Sequence, residues 1–132
     1  MSKQIIIPFQ VTTWDEQKKE ESAGNPTLSR ILVKKSFDGE VSGESVGELL
    51  MCASADGAAG YTIMDRFTVE IEGKKGSFVA IHGGMTDEMK ASGKIVPGSG
   101  TDDLKEISGT LEFKSDESGK TIIFDYSFAD VN

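Results

Sequence analysis

The stretch from Tyr61 to Glu72 constrains this chain more than any other. Tyr61, Ile63, Asp65, Phe67, Val69 and Ile71 alternate with Thr62, Met64, Arg66, Thr68, Glu70 and Glu72. Side chains of an extended strand point to opposite faces in turn, whereas a helix returns to one face every 3.6 residues. The pattern therefore predicts a strand with one dry face and one wet face. The same period of two recurs elsewhere. It predicts strands up to about Trp14, over Leu28–Phe37, over Val41–Ala53, over Ser77–His82, over Gly93–Val96, over Leu104–Phe113, and at the end through Ile122, Phe124, Tyr126 and Phe128. The charged stretch Asp15–Thr27, ending in Gly24-Asn25-Pro26, reads as a loop or one short helical turn. Thr86–Ser92 reads as a polar excursion.

Short turns join these runs. Asp38-Gly39 is a hairpin signal, Gly73-Lys74-Lys75-Gly76 turns the chain, and Pro97-Gly98-Ser99-Gly100-Thr101 is a tight loop. Eight strands with hairpin connections predict an all-β fold, an antiparallel and mostly up-and-down sheet. Closure into a barrel removes the exposed edges; a two-sheet sandwich fits the same pattern. Residues 1–132 read as one domain, with no repeat or linker. The chain holds 15 glycines in 132 residues. Glycine inside a strand marks a bulge, a bend or a close backbone approach, and a small coiled barrel needs all three. Gly83-Gly84 reads as a break after His82 and, with Gly98 and Gly100, as the rim of a cavity.

Charge narrows the function. With 14 basic against 22 acidic residues the net charge is −8, which opposes docking on nucleic-acid phosphates. No stretch nears the ~20 apolar residues of a membrane-spanning helix. The N-terminal apolar run Ile5–Ile7 is too short for a secretory leader. A cytoplasmic location is expected, and a lone cysteine, Cys52, agrees with it. One cysteine and one histidine leave no metal cluster, and no cofactor is expected.

Asp65 is the most informative single residue. A carboxylate in a dry row must be paired or hydrogen-bonded, and such groups gather at functional sites; an ion-paired structural role is the plainer reading. His82 is the only side chain with an ordinary pKa near neutrality. At the end of its strand it could bind a ligand or move a proton, or be a structural histidine. Tyr61 and Tyr126 share the inward rows and add hydroxyls. Ser99 sits in a donor-rich loop, Gly98-Ser99-Gly100-Thr101, suited to a cavity mouth. That loop lacks the lysine and the following helix of a phosphate-binding loop. Glu44 and Glu48 share a strand face, about 13 Å apart. That exceeds the about 5–9.5 Å of a glycosidase pair, so they read as solvated or ion-paired. Cys52 reads as a buried small hydrophobe.

Four segments form a recognisable set. They are Trp14-Asp15-Glu16, Phe37-Asp38-Gly39-Glu40-Val41-Ser42-Gly43-Glu44-Ser45, Gly76-Ser77-Phe78-Val79-Ala80-Ile81-His82 and Val96-Pro97-Gly98-Ser99-Gly100-Thr101. In this order they resemble a small bacterial family known only as a domain of unknown function, over nearly the whole chain. The resemblance implies an eight-stranded antiparallel barrel grouped with the plant allene oxide cyclase barrels. Family members commonly read Glu-Arg where this chain has Asp65-Arg66. They usually place Gly and an acid before the leucine where it has Asp102-Asp103-Leu104. The resemblance carries no activity, and a shared barrel does not transfer one.

The residues thus lead to an expectation and two alternatives. The first is a barrel that binds a small apolar or amphipathic molecule, with Tyr61, Asp65, His82, Ser99 and Tyr126 as its polar groups. The second is an isomerase or cyclase in which Asp65 or His82 moves a proton. The third is a filled structural barrel that pairs as a homodimer through an outer face near Met64.

Overall fold

A computed structural model describes residues 2–86 and 91–128. Eight strands follow one another as β1 (Lys3–Glu20), β2 (Thr27–Phe37), β3 (Val41–Ala53), β4 (Ala59–Ile71), β5 (Lys74–Met85), β6 (Ala91–Ile95), β7 (Ile107–Asp116) and β8 (Gly119–Phe128). Each pairs antiparallel with the next. β8 returns to β1, from Lys3↔Tyr126 to Phe9↔Lys120, and closes the barrel. Among the described residues there is no α-helix, and none is long and apolar enough to cross a membrane. The up-and-down barrel is the form the alternation takes here, and the sandwich is not.

Several boundaries differ from those the residues predict. β1 does not stop near Trp14. Asp15 to Glu20 pair with Leu32 to Leu28 of β2, with register shifts after Val11 and Glu16. These residues are exposed on both faces, so backbone hydrogen bonds form the ladder without any hydrophobic alternation to announce it. β5 runs through Gly83-Gly84 to Met85, with Gly83 opposite Thr62 and Gly84 opposite Tyr61. A Cβ at Gly83 would run into the Tyr61 carbonyl oxygen; this glycine allows close strand approach and does not break the strand. Leu104 is not in β7. It lies in a 3-10 turn, Asp102–Leu104, and is fully buried. Cys52 is exposed, not buried, because β3 turns its even-numbered residues outward. Of the polar excursion expected over Thr86–Ser92, residues 87–90 lie outside those described, and Ala91 and Ser92 belong to β6.

The interior has two unlike halves. One is filled by rings. Phe37 and Phe67 lie 5.4 Å apart, Phe67 and Phe78 stack at 4.9 Å, Phe78 and Phe124 at 6.0 Å, and Phe124 and Tyr126 at 5.0 Å. Leu104, Ile71, Ile95 and Ile122 complete this core. The other half has a smaller apolar wall of Ile31, Val33, Leu49 and Ile63, flanked by Met51 and Tyr61. Each buried apolar side chain of this size is worth about 1.5–3 kcal/mol, and the rings concentrate that stabilisation at one end.

Candidate functional site

Where the two halves meet, three buried polar side chains face one another. Asp65 on β4 is fully buried, and Lys35 on β2 and His82 on β5 are about 5% and 4% exposed. Lys35 Nζ donates to Asp65 Oδ2 at 2.6 Å, and His82 Nε2 lies 3.0 Å from the same oxygen.

The sheet register explains how they meet. Lys35 is paired with Ser45 on β3, and Gly47 on β3 with Asp65 on β4. The lysine therefore crosses β3 to reach the carboxylate, over two strand spacings or about 10 Å. Gly47 leaves the room. A Cβ there would lie 2.9 Å from Asp65 Oδ1 and 2.8 Å from Ile63 Cδ1. On the other side Asp65 pairs with Ala80, again small, and His82 comes two residues later on the same inward face. His82 is held in place by rings: Phe113 stacks on it at 4.1 Å between centroids, and Tyr61 meets it edge-on at 6.4 Å.

The electrostatics follow from burial and pairing. Burial alone would raise the pKa of the Asp65 carboxyl. The His82 hydrogen bond, with the Lys35 charge and hydrogen bond, outweighs that and holds it below the usual carboxylate range. For His82 burial is the largest influence and pushes the pKa down. The Lys35 charge adds to the fall, against the Asp65 hydrogen bond and charge. The site is thus a Lys35–Asp65 ion pair beside a neutral imidazole. A neutral imidazole that donates through Nε2 has an acceptor at Nδ1. Nδ1 of His82, Oδ1 of Asp65 and Oγ of Ser45 are buried with no hydrogen-bond partner. Burial also raises the Tyr61 hydroxyl above its ordinary pKa.

Above this trio lies a cavity of about 530 Å3, inside the roughly 300–1,000 Å3 range of small-molecule sites. Lys35 and His82 form part of its lining. Phe9, Trp14, Val33, Leu49, Ile63 and Phe113 give it apolar walls, and Met85, Lys114 and Lys120 stand at its mouth. All eight strands contribute. A smaller groove of about 430 Å3 beside Leu28, Leu50 and Cys52 holds none of the buried polar side chains.

Of the residues singled out from sequence, His82 and Tyr61 line this cavity, and Asp65 lies buried beneath the lining, bonded to Lys35 and His82. His82 lies inside the barrel and not at the end of its strand. Ser99 is elsewhere: its Oγ accepts from the Val79 N–H at 3.0 Å and donates to the Val79 carbonyl at 3.2 Å, pinning the 97–101 loop to β5. Tyr126 belongs to the filled half, and its hydroxyl donates to Glu72 Oε2 at 2.7 Å. Burial and the Glu72 carboxylate push its pKa far up. Neither residue lines the cavity. Glu44 and Glu48 point outward and are exposed. Lys35 is the functional candidate that sequence reasoning passes over. Its signal was present: Ile31, Val33, Lys35 and Phe37 form one inward row, and a lysine in a dry row asks for a partner as an aspartate does. Among the described residues no group of His, Cys, Asp and Glu is placed to hold a metal ion.

Comparison with known proteins agrees with this architecture. No curated protein matches the chain. A crystal structure of a protein of unknown function from Shewanella oneidensis MR-1, of the DUF3224 family, is 27% identical with a TM-score of 0.89, over 99% of this chain and 100% of that one. The family described as "Protein of unknown function (DUF3224)" matches residues 6–128. By that match over nearly its whole length, the chain belongs to the DUF3224 family.

Proposed function

We propose that the open half of the barrel binds one small apolar or amphipathic molecule, with Lys35, His82 and Tyr61 orienting its polar end. The observation that carries this reading is the half-filled interior. Aromatic rings close one end, and the other keeps an apolar-walled cavity of about 530 Å3 over a buried polar floor. A purely structural barrel gains nothing from a void and from buried charge that must be paired. Trp14, the only tryptophan, lines the cavity and reports on it. Titration with 1-anilinonaphthalene-8-sulfonate should transfer Trp14 emission to the bound dye at one site per chain. Leu49→Phe, which fills the wall and adds no second tryptophan, should abolish the transfer from Trp14. Dye binding that is unaffected by a filled cavity would overturn the reading.

A second reading, an isomerase or cyclase on an apolar substrate within an allene oxide cyclase-like barrel, has one observation in its favour. The Asp65–His82 pair, at 3.0 Å, can pass a proton, and His82 lines the cavity. A third concerns assembly. Met64 and Ile81 are register partners on the outside of β4 and β5, and Leu50 on β3 lies diagonal to Met64. All three are about half exposed, which supports a homodimer through this face. The exposed free thiol of Cys52 suits a reducing, cytoplasmic setting.

A further inference from the structure

We propose that Lys35 captures an apolar aldehyde inside the barrel as a protonated imine, with Asp65 as the counter-ion. The inference rests on the binding reading above, since the aldehyde chain must first enter the cavity.

Three lysines line that cavity: Lys35, Lys114 and Lys120. Lys114 and Lys120 are exposed at the rim, and among the described residues neither is in an ion pair. Lys35 is different. Its side chain is 6% exposed, and its Nζ is 2.6 Å from a carboxylate with no exposure at all. Lys35 is the cavity lysine that is both buried and in direct contact with a carboxylate able to take and return its proton. The surrounding groups fit each stage of imine formation.

The chemistry balances within the trio. As the aldehyde carbon approaches, Nζ passes one proton transiently to the Asp65 carboxylate, 2.6 Å away, which frees the nitrogen lone pair. The amine attacks the aldehyde carbon, and after a proton moves from nitrogen to oxygen a carbinolamine forms. Asp65 returns its proton to the departing hydroxyl, which leaves as water. The products are the Lys35 iminium, water and the Asp65 carboxylate. The site begins with one positive nitrogen against one carboxylate and ends the same way. No new buried charge is created, which a low-dielectric interior would oppose. His82 Nε2, 3.0 Å from Asp65 Oδ2, holds that oxygen in place throughout. The apolar walls of Phe113, Ile63 and Leu49 receive the carbon chain.

The test incubates the intact protein with octanal and sodium cyanoborohydride, then maps alkylated lysines by peptide mass spectrometry. 1-Octanol, which cannot form an imine, is titrated in parallel against Trp14 fluorescence. We expect octanol to bind and octanal to label Lys35 about tenfold more than Lys114 or Lys120, because the site holds amine and carbonyl together. Lys35→Arg keeps the charge at this position but offers no primary amine, and should lose the label there. Asp65→Asn should reduce labelling at Lys35. If octanol binds but label spreads over exposed lysines with Lys35 unmodified, the covalent proposal falls and the binding reading stands. If neither molecule perturbs Trp14 and Lys35 stays unlabelled, both fall. The wild-type map decides even where a variant does not fold.

Discussion

Lys35, Asp65 and His82 form one electrostatic unit, and removing any one affects the other two. Replacing one partner of a buried ion pair leaves the other charge unpaired, at about 3–5 kcal/mol. Lys35→Met should therefore lower the stability of the chain by about that amount in urea denaturation. Lys35→Met together with Asp65→Leu should recover much of the loss. The single histidine makes the pH dependence readable. The pKa of His82 is depressed by burial, so the folded state binds fewer protons than the unfolded one as pH falls below about 6.5. Stability is then fully present above that value and is lost as pH falls toward the folded pKa. Asp65, also depressed, adds a further loss below about pH 4 by the same sign. NMR titration of the one imidazole should give a midpoint below about 6.5, and a midpoint above it would contradict the neutral-imidazole site. Asp65 was legible in the sequence because an acid in a row of Ile, Phe and Val is conspicuous. Lys35 stands in an equally dry row but is easier to pass over, because a long aliphatic stem on a lysine normally carries its charge to water; Gly47 leaves the room for the stem to cross β3 instead.

At the scale of elements, strands whose two faces differ were the readable ones. β4 and β8 show their inward rows directly in the residue pattern, and the aromatic stack between them follows from it. The end of β1 shows nothing, since Asp15 to Glu20 are polar on both faces and are held by backbone pairing to β2. Gly83 was misread for a related reason. Without contacts, a glycine that permits close approach looks the same as one that ends a strand. The stacked rings of β4, β5 and β8 carry the filled half. Phe78, 1% exposed and stacked between Phe67 and Phe124, should cost about 3–5 kcal/mol on replacement by alanine. That change lies away from the cavity, so dye transfer from Trp14 should persist in whatever fraction stays folded. A loss of stability below about 1 kcal/mol would show that the stack is not the main support.

For the whole molecule, the informative property is the division of one barrel into a packed end and an open end. Counting strands predicts closure but not how much of the interior is filled, because filling depends on side chains from all eight strands at once. Charge is divided as well. The chain carries −8 overall, yet among the described residues no Asp or Glu lines the cavity, whereas Lys35, Lys114 and Lys120 do. The acids lie mainly on outward faces and turns, as the alternation indicated, and the net charge says little about the site. The central claim is that the open end is a binding cavity. Native mass spectrometry of gently purified protein tests it most directly, with the wild type measured beside a cavity-filling Leu49→Phe chain. The account predicts one small molecule retained per wild-type chain, or acquired on addition of 1-anilinonaphthalene-8-sulfonate, and its loss from the filled variant. A bare wild-type chain under both conditions, or equal occupancy in the two proteins, would contradict it.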